Sequence, residues 1–127
     1  MIKITKKIKF SKNQNRMEKV GDVEEAVNYF NSKKNKNLYF LIKNRYDWMN
    51  KFINENDTGI EVGAGAGFSK IFILNKNLKI TDFSEGKHLD YKNIDAQNTG
   101  FKENSYDFVI AANMIHHVPY PIKFFKE

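Results

Sequence analysis

At 127 residues and a net charge of +6, the chain is long enough for one domain with a modest core. It contains no cysteine, which excludes disulfides, thiolate nucleophiles and cysteine-ligated metals. No apolar run approaches the roughly 20 residues of a membrane span, and the Lys-rich start lacks a signal-peptide apolar segment, so a soluble cytoplasmic protein is expected.

The charge is unevenly placed. Residues 1–57 carry thirteen Lys and Arg against seven Asp and Glu, whereas residues 58–127 are balanced at eight of each. A basic surface attracts nucleic acid or anionic substrates, but a solvated charged face is the commoner cause and no nucleic-acid reader motif accompanies it. Residues 1–21 form a basic arm with alternating apolar residues (Ile2, Ile4, Ile8, Phe10) and are expected to be partly ordered at best. Asp22 has the character of an N-cap, with Glu24 and Glu25 in the first turn, which predicts a helix over about 23–31. The polar run from Asn31 to Asn37 reads as a loop. A second helix is predicted over 38–54, where Leu38, Leu41, Ile42, Tyr46, Met49, Phe52 and Ile53 recur at three- and four-residue spacing. The aromatics Tyr29, Phe30, Tyr39, Phe40, Tyr46 and Trp48 read as core-facing helix positions. These helices make up a segment, 22–57, ahead of a domain over 58–127.

That domain opens on Thr58-Gly59-Ile60-Glu61-Val62-Gly63-Ala64-Gly65-Ala66-Gly67-Phe68-Ser69. A short apolar run, three alternating glycines and a helical pattern (Phe68, Ile71, Phe72, Leu74) spell strand, tight turn and helix. Glycines suit such a turn because a side chain blocks either a positive φ or a ligand's approach to the backbone. A nicotinamide-type fingerprint needs G-x-G-x-x-G, but here the spacing is G-x-G-x-G and the required third position holds Phe68. Glu61, at the carboxyl end of the strand, suits a ligand bearing an ammonium group and repels a pyrophosphate.

Further along, a helix is predicted over Ser69 to Lys76 and a strand over Leu78 to Thr81, with Asp82 at its carboxyl end. An acidic residue there is placed to accept hydrogen bonds from ribose hydroxyls. The short stretch holding Phe83, Ser84, His88 and Leu89 leaves no room for a crossover helix and reads as a loop. Tyr91 to Ala96 reads as a short strand ending at Asp95. Phe108-Val109-Ile110 has the continuous apolar character of a buried parallel strand, with Asp107 orienting its start and Asn113 just past its end. The adjacent His116 and His117 lack a third ligand, so no metal is assigned, and either could be a general base. A structural role for that pair is an equal alternative. Residues from Pro121 onward begin another helix.

Taken together, Glu61-x-Gly-x-Gly-x-Gly, Asp82, Asp95-Ala96, Tyr106-Asp107 and Ile115-His116-His117 resemble the ordered motifs of class I S-adenosylmethionine-dependent methyltransferases. The resemblance covers residues 38–127 and implies an α/β, Rossmann-like three-layer sandwich. It implies a cofactor, S-adenosyl-L-methionine, with Glu61 and the backbone of Gly63, Ala64, Gly65 and Gly67 at its methionine part. Asp82, with Phe83 beside it, falls at the ribose, Asp95 and Ala96 at the adenine, and Asn113 near the sulfonium. His117 or His116 is the base candidate for a small-molecule methyl acceptor. The family sheet has seven strands in the order 3-2-1-4-5-7-6, whereas this sequence supplies candidates for strands one to four only. A C-terminally shortened domain is therefore expected, with the fourth strand's edge open to self-association or a partner chain. The alternative implied is a fragment or binding module that holds the cofactor without turnover.

Overall fold

A computed structural model describes residues 23–32 and 35–127. The basic arm and the Asp22 cap lie outside the described residues. Helix α1 spans Val23–Asn31 and α2 spans Lys36–Met49, followed by a 3-10 turn at Asn50–Phe52. Then come β1 (Gly59–Glu61), α3 (Ser69–Phe72), β2 (Leu78–Ile80), β3 (Phe108–Ile110) and α4 (Pro121–Lys126). No helix among the described residues is long and apolar enough to cross a membrane.

The sheet is parallel, with order β2-β1-β3. Gly59 pairs with both Leu78 and Phe108, and Glu61 with both Ile80 and Ile110. Paired residues of a parallel sheet project to the same face, so Glu61 lies between Ile80 and Ile110 on the face covered by α2 and α3. Gly59 lies under Phe108: a Cβ there would come within 2.0 Å of the ring. Asp107 fixes the start of β3, its Oδ2 accepting from the Thr58 N–H at 2.7 Å and the Thr58 hydroxyl at 2.8 Å.

The main core joins Ile42 and Tyr46 of α2 to Phe72, Ile73, Leu78, Ile80, Leu89 and Ile110. A second cluster gathers Val62, Ala96, Met114 and Val118 beyond the strand ends, with Phe124 of α4 against it. Phe30 of α1 stacks on Tyr39 of α2 and packs with Phe68, ring centroids 4.5 Å apart in the latter case.

Four expectations require correction. The helix predicted to Lys76 ends at Phe72: Ile73 is extended, and the Asn75 amide donates to the carbonyls of Asn54 and Asp57. The strand predicted over Tyr91 to Ala96 reduces to two isolated bridges, Thr81 to Tyr91 parallel and Asp95 to Asn98 antiparallel, because Asn93 adopts a left-handed φ of 55° that breaks extension. Of the aromatics read as core-facing, Tyr29, Tyr39, Phe40 and Trp48 are exposed, while Phe30 is half-buried and Tyr46 buried. Finally, β3 is not buried on both faces: Val109 is 60% exposed, since no described element covers its side of this edge strand.

Candidate functional site

The site is built on the glycine turn after β1. Gly63, Gly65 and Gly67 all have positive φ, between 52° and 71°. At Gly63 a side chain meets a second obstacle, because a Cβ would lie 2.6 Å from that of Met114. At Gly65 a Cβ would meet nothing within 4 Å, so this part of the turn faces open space.

Hydrogen bonds grip the Gly65 residue from both sides. Its N–H donates to Asp82 Oδ2 at 2.8 Å, and its carbonyl accepts from His88 Nε2 at 2.7 Å. A carbonyl only accepts, so this contact fixes the proton on His88 Nε2. The His88 ring also fills the space a Cβ on Gly67 would need, 2.9 Å from its Cδ2. The other Asp82 oxygen accepts from the Ser84 N–H at 2.8 Å and hydroxyl at 2.7 Å. A carboxylate takes about four hydrogen bonds, so Asp82 keeps room for a ligand hydroxyl.

Glu61 is placed differently. It is 1% exposed, and its carboxylate accepts from the Tyr46 hydroxyl at 3.1 Å and from the Ser69 hydroxyl. Burial pushes its carboxyl up to about 7 despite these donors. The same burial, with Glu61 beside it, raises the Tyr46 phenol. Glu61 thus ties the end of β1 to α2 and α3 underneath the turn.

Above the turn lies a cavity of about 400 Å³, within the range of small-molecule sites. It brings together Gly63, Ala64 and Gly65 from the turn, with Asp82 and Phe83 from the end of β2. Asp95 and Ala96 enter from the next loop, and Asn113 and His117 from the segment after β3. Glu61, Gly67 and His116 do not line it. Asp95 accepts from the Gln97 N–H at 2.8 Å, and the Gln97 side-chain oxygen accepts from the Tyr120 N–H at 2.9 Å, fixing α4 against this loop. Asn113 has a left-handed φ of 58°. The His117 ring lies tilted against that of His116, centroids 3.9 Å apart; partial desolvation and that neighbour lower its pKa, favouring the neutral imidazole.

A family model described as Methyltransferase domain matches residues 60–127, more than half of the chain. The chain belongs to the class I S-adenosylmethionine-dependent methyltransferases. No curated protein and no solved structure matches it. Methyltransferases of this family generally bind S-adenosylmethionine, and the residues present suit that group: an unobstructed turn at Gly65, a half-buried carboxylate with acceptor capacity, and an adjoining cavity of fitting size. The methyltransferase match begins at Ile60, leaving α1 and α2 outside it.

Several cavity residues were missed in the sequence. Ile94, Gln97, Met114 and Val118 line it beside the expected residues, and Ala26, Leu38, Ile42 and Arg45 close it from α1 and α2. Their signal was spacing. Leu38, Ile42 and Arg45 fall at i, i+4 and i+7, a single helix face.

Proposed function

We propose that this chain binds S-adenosylmethionine across the ends of β1 and β2 and transfers its methyl group to a small-molecule nucleophile. The observation that carries this reading is the convergence on one cavity of the glycine turn, Asp82, Asp95, Asn113 and His117, from four separate stretches of sequence. When bound, the cofactor supplies a methyl group already activated by its sulfonium. The chain's own task is then alignment and proton removal.

In this reading the Gly63–Gly65 backbone takes the methionine part, Asp82 accepts from the ribose hydroxyls, and Asp95 with Ala96 flanks the adenine. Phe83 supplies an apolar wall next to Asp82. Glu61, hydrogen-bonded to Tyr46 and Ser69, acts from below by holding the turn. His117 is the base: it lines the cavity, and its lowered pKa leaves a free lone pair at neutral pH to accept a proton from the acceptor. His116, outside the cavity lining, sets the position and basicity of its neighbour.

Calorimetric titration of the folded chain with S-adenosylhomocysteine tests the reading. Binding that Asp82→Ala weakens by roughly tenfold or more is expected, from loss of one or two charge-assisted hydrogen bonds. A folded chain that binds nothing would overturn it.

A further inference from the structure

The outward face of α2 takes no part in the core. Ile42 and Tyr46 are buried, whereas Phe40, Leu41, Trp48 and Phe52 are between 59% and 68% exposed. At about 100° per residue, Phe40, Leu41 and Trp48 share one side of the helix. Phe52, in the 3-10 turn that follows, continues the stripe: its ring meets that of Trp48 with centroids 4.9 Å apart. Scattered apolar residues on a surface are ordinary, but a contiguous run of large ones marks an interaction site.

The stripe is set among cations. Residues 33–52 hold six Lys and Arg against a single acid, Asp47, and residues 1–21 hold seven against one. Asp47 is ion-paired with Lys43 on the same helix. Lys36 and Lys51, both exposed, stand towards the two ends of the stripe. Like charge opposes a second copy of the chain on this face, because a two-fold contact would bring the same cations together. An anionic lipid surface matches both features. Trp, Phe and Leu side chains enter the boundary between headgroups and acyl chains, while Lys stems extend from it to the phosphates.

We propose that the outward face of α2, from Phe40 to Phe52, docks the chain on an anionic lipid surface. The helix lies on that surface and does not cross it, as no helix among the described residues is long and apolar enough to span a membrane. Leu38 and Ile42, on another side of α2, line the cavity, so one helix separates the cavity from the docking face. The proposal is independent of what the cavity binds.

Trp48 is the single tryptophan of the chain, so its fluorescence reports on the stripe alone. The test mixes the full chain with vesicles of phosphatidylcholine and phosphatidylglycerol in equal parts, or of phosphatidylcholine only. On the anionic vesicles the protein should co-sediment, and Trp48 emission should shift to the blue and be quenched by brominated acyl chains. High salt should weaken this binding, and the neutral vesicles should bind roughly tenfold more weakly or less. Leu41→Ser combined with Phe52→Ser should lower partitioning onto the anionic vesicles by about tenfold or more, from the apolar area lost.

Co-sedimentation with an unshifted Trp48, or undiminished by the double substitution, would assign the attraction to the basic residues alone and overturn the proposal. Absence of binding by the folded chain would overturn it too. So would a Trp48 that is already shielded from acrylamide before vesicles are added, since the stripe would then be covered by the chain itself or by a second copy. Circular dichroism checks the fold of the double variant, and Phe40→Ser replaces it if it does not fold.

Discussion

The underside of the glycine turn and its cavity face are built on opposite plans, though both depend on a carboxylate at a strand end. Underneath, Glu61 is sealed between Ile80 and Ile110, and both its oxygens accept from hydroxyls of α2 and α3. On the cavity face, Asp82 is half-buried and accepts from backbone and hydroxyl donors of two loops while remaining accessible. Position on the sheet decides between these plans. Glu61 ends β1 on the face that α2 covers, whereas Asp82 follows β2 by two residues, where the chain has left the sheet. Two acidic residues with the same motif character thus acquire different places: one holds the turn from below, the other stays open to the cavity.

The contrast breaks most severely at Gly63. Gly63→Ala forces a side chain into a left-handed backbone and against Met114, and should destabilise the fold by about 3 kcal/mol in urea unfolding. An unchanged midpoint would show that the turn and the segment after β3 are not packed as described.

The underside should also reveal itself through pH. The folded chain retains the Glu61 proton to about 7, whereas the unfolded chain releases it near its ordinary 4.5. Between those values the folded state binds more protons, so this group's contribution makes stability fall as pH rises from about 4.5 to 7 and level off above. The full change is about 3 kcal/mol at most. Glu61→Gln should flatten that part of the profile, as read by urea unfolding at a series of pH values. A slope that survives the substitution would place the titrating group elsewhere.

The smallest effect is expected on the cavity face. His117→Gln should leave the unfolding free energy within about 0.5 kcal/mol, since the ring is exposed and serves no core contact. S-adenosylhomocysteine affinity should stay within about twofold, as a base acting on the acceptor requires. A large stability loss would make His117 part of the scaffold.

Much of this division was legible in the residues, but not all. The turn, Asp82 and the parallel strands follow from short-range patterns: alternating glycines, an apolar triplet, an acid at a strand end. The failures are positions where distant parts of the chain decide. Val109 belongs to an apolar triplet, yet its exposure depends on what lies over that face of β3. The strand predicted after Tyr91 yields to a left-handed Asn93, a conformation that Asn tolerates but does not announce. His88 is an exposed loop residue, as its stretch suggests, but nothing in its neighbourhood shows that Gly65, 23 residues earlier, offers a carbonyl to it. Arg45 was hidden differently: its helix face was readable, but the cavity on that face was not.

The clamp between Thr58 and Asp107 also bears on the order in which the molecule assembles. It joins residues 49 apart in sequence, whereas β1 meets β2 across a much shorter loop. Closing the longer loop costs about 1 kcal/mol more in chain entropy, so β3 is the natural last arrival. Departure of β3 would carry Met114 off Gly63 and take Asn113 and His117 away from Asp82, while the turn stays gripped by β2 and His88. The cavity can therefore come apart along the β1–β3 seam without melting the loop on which a ligand would rest.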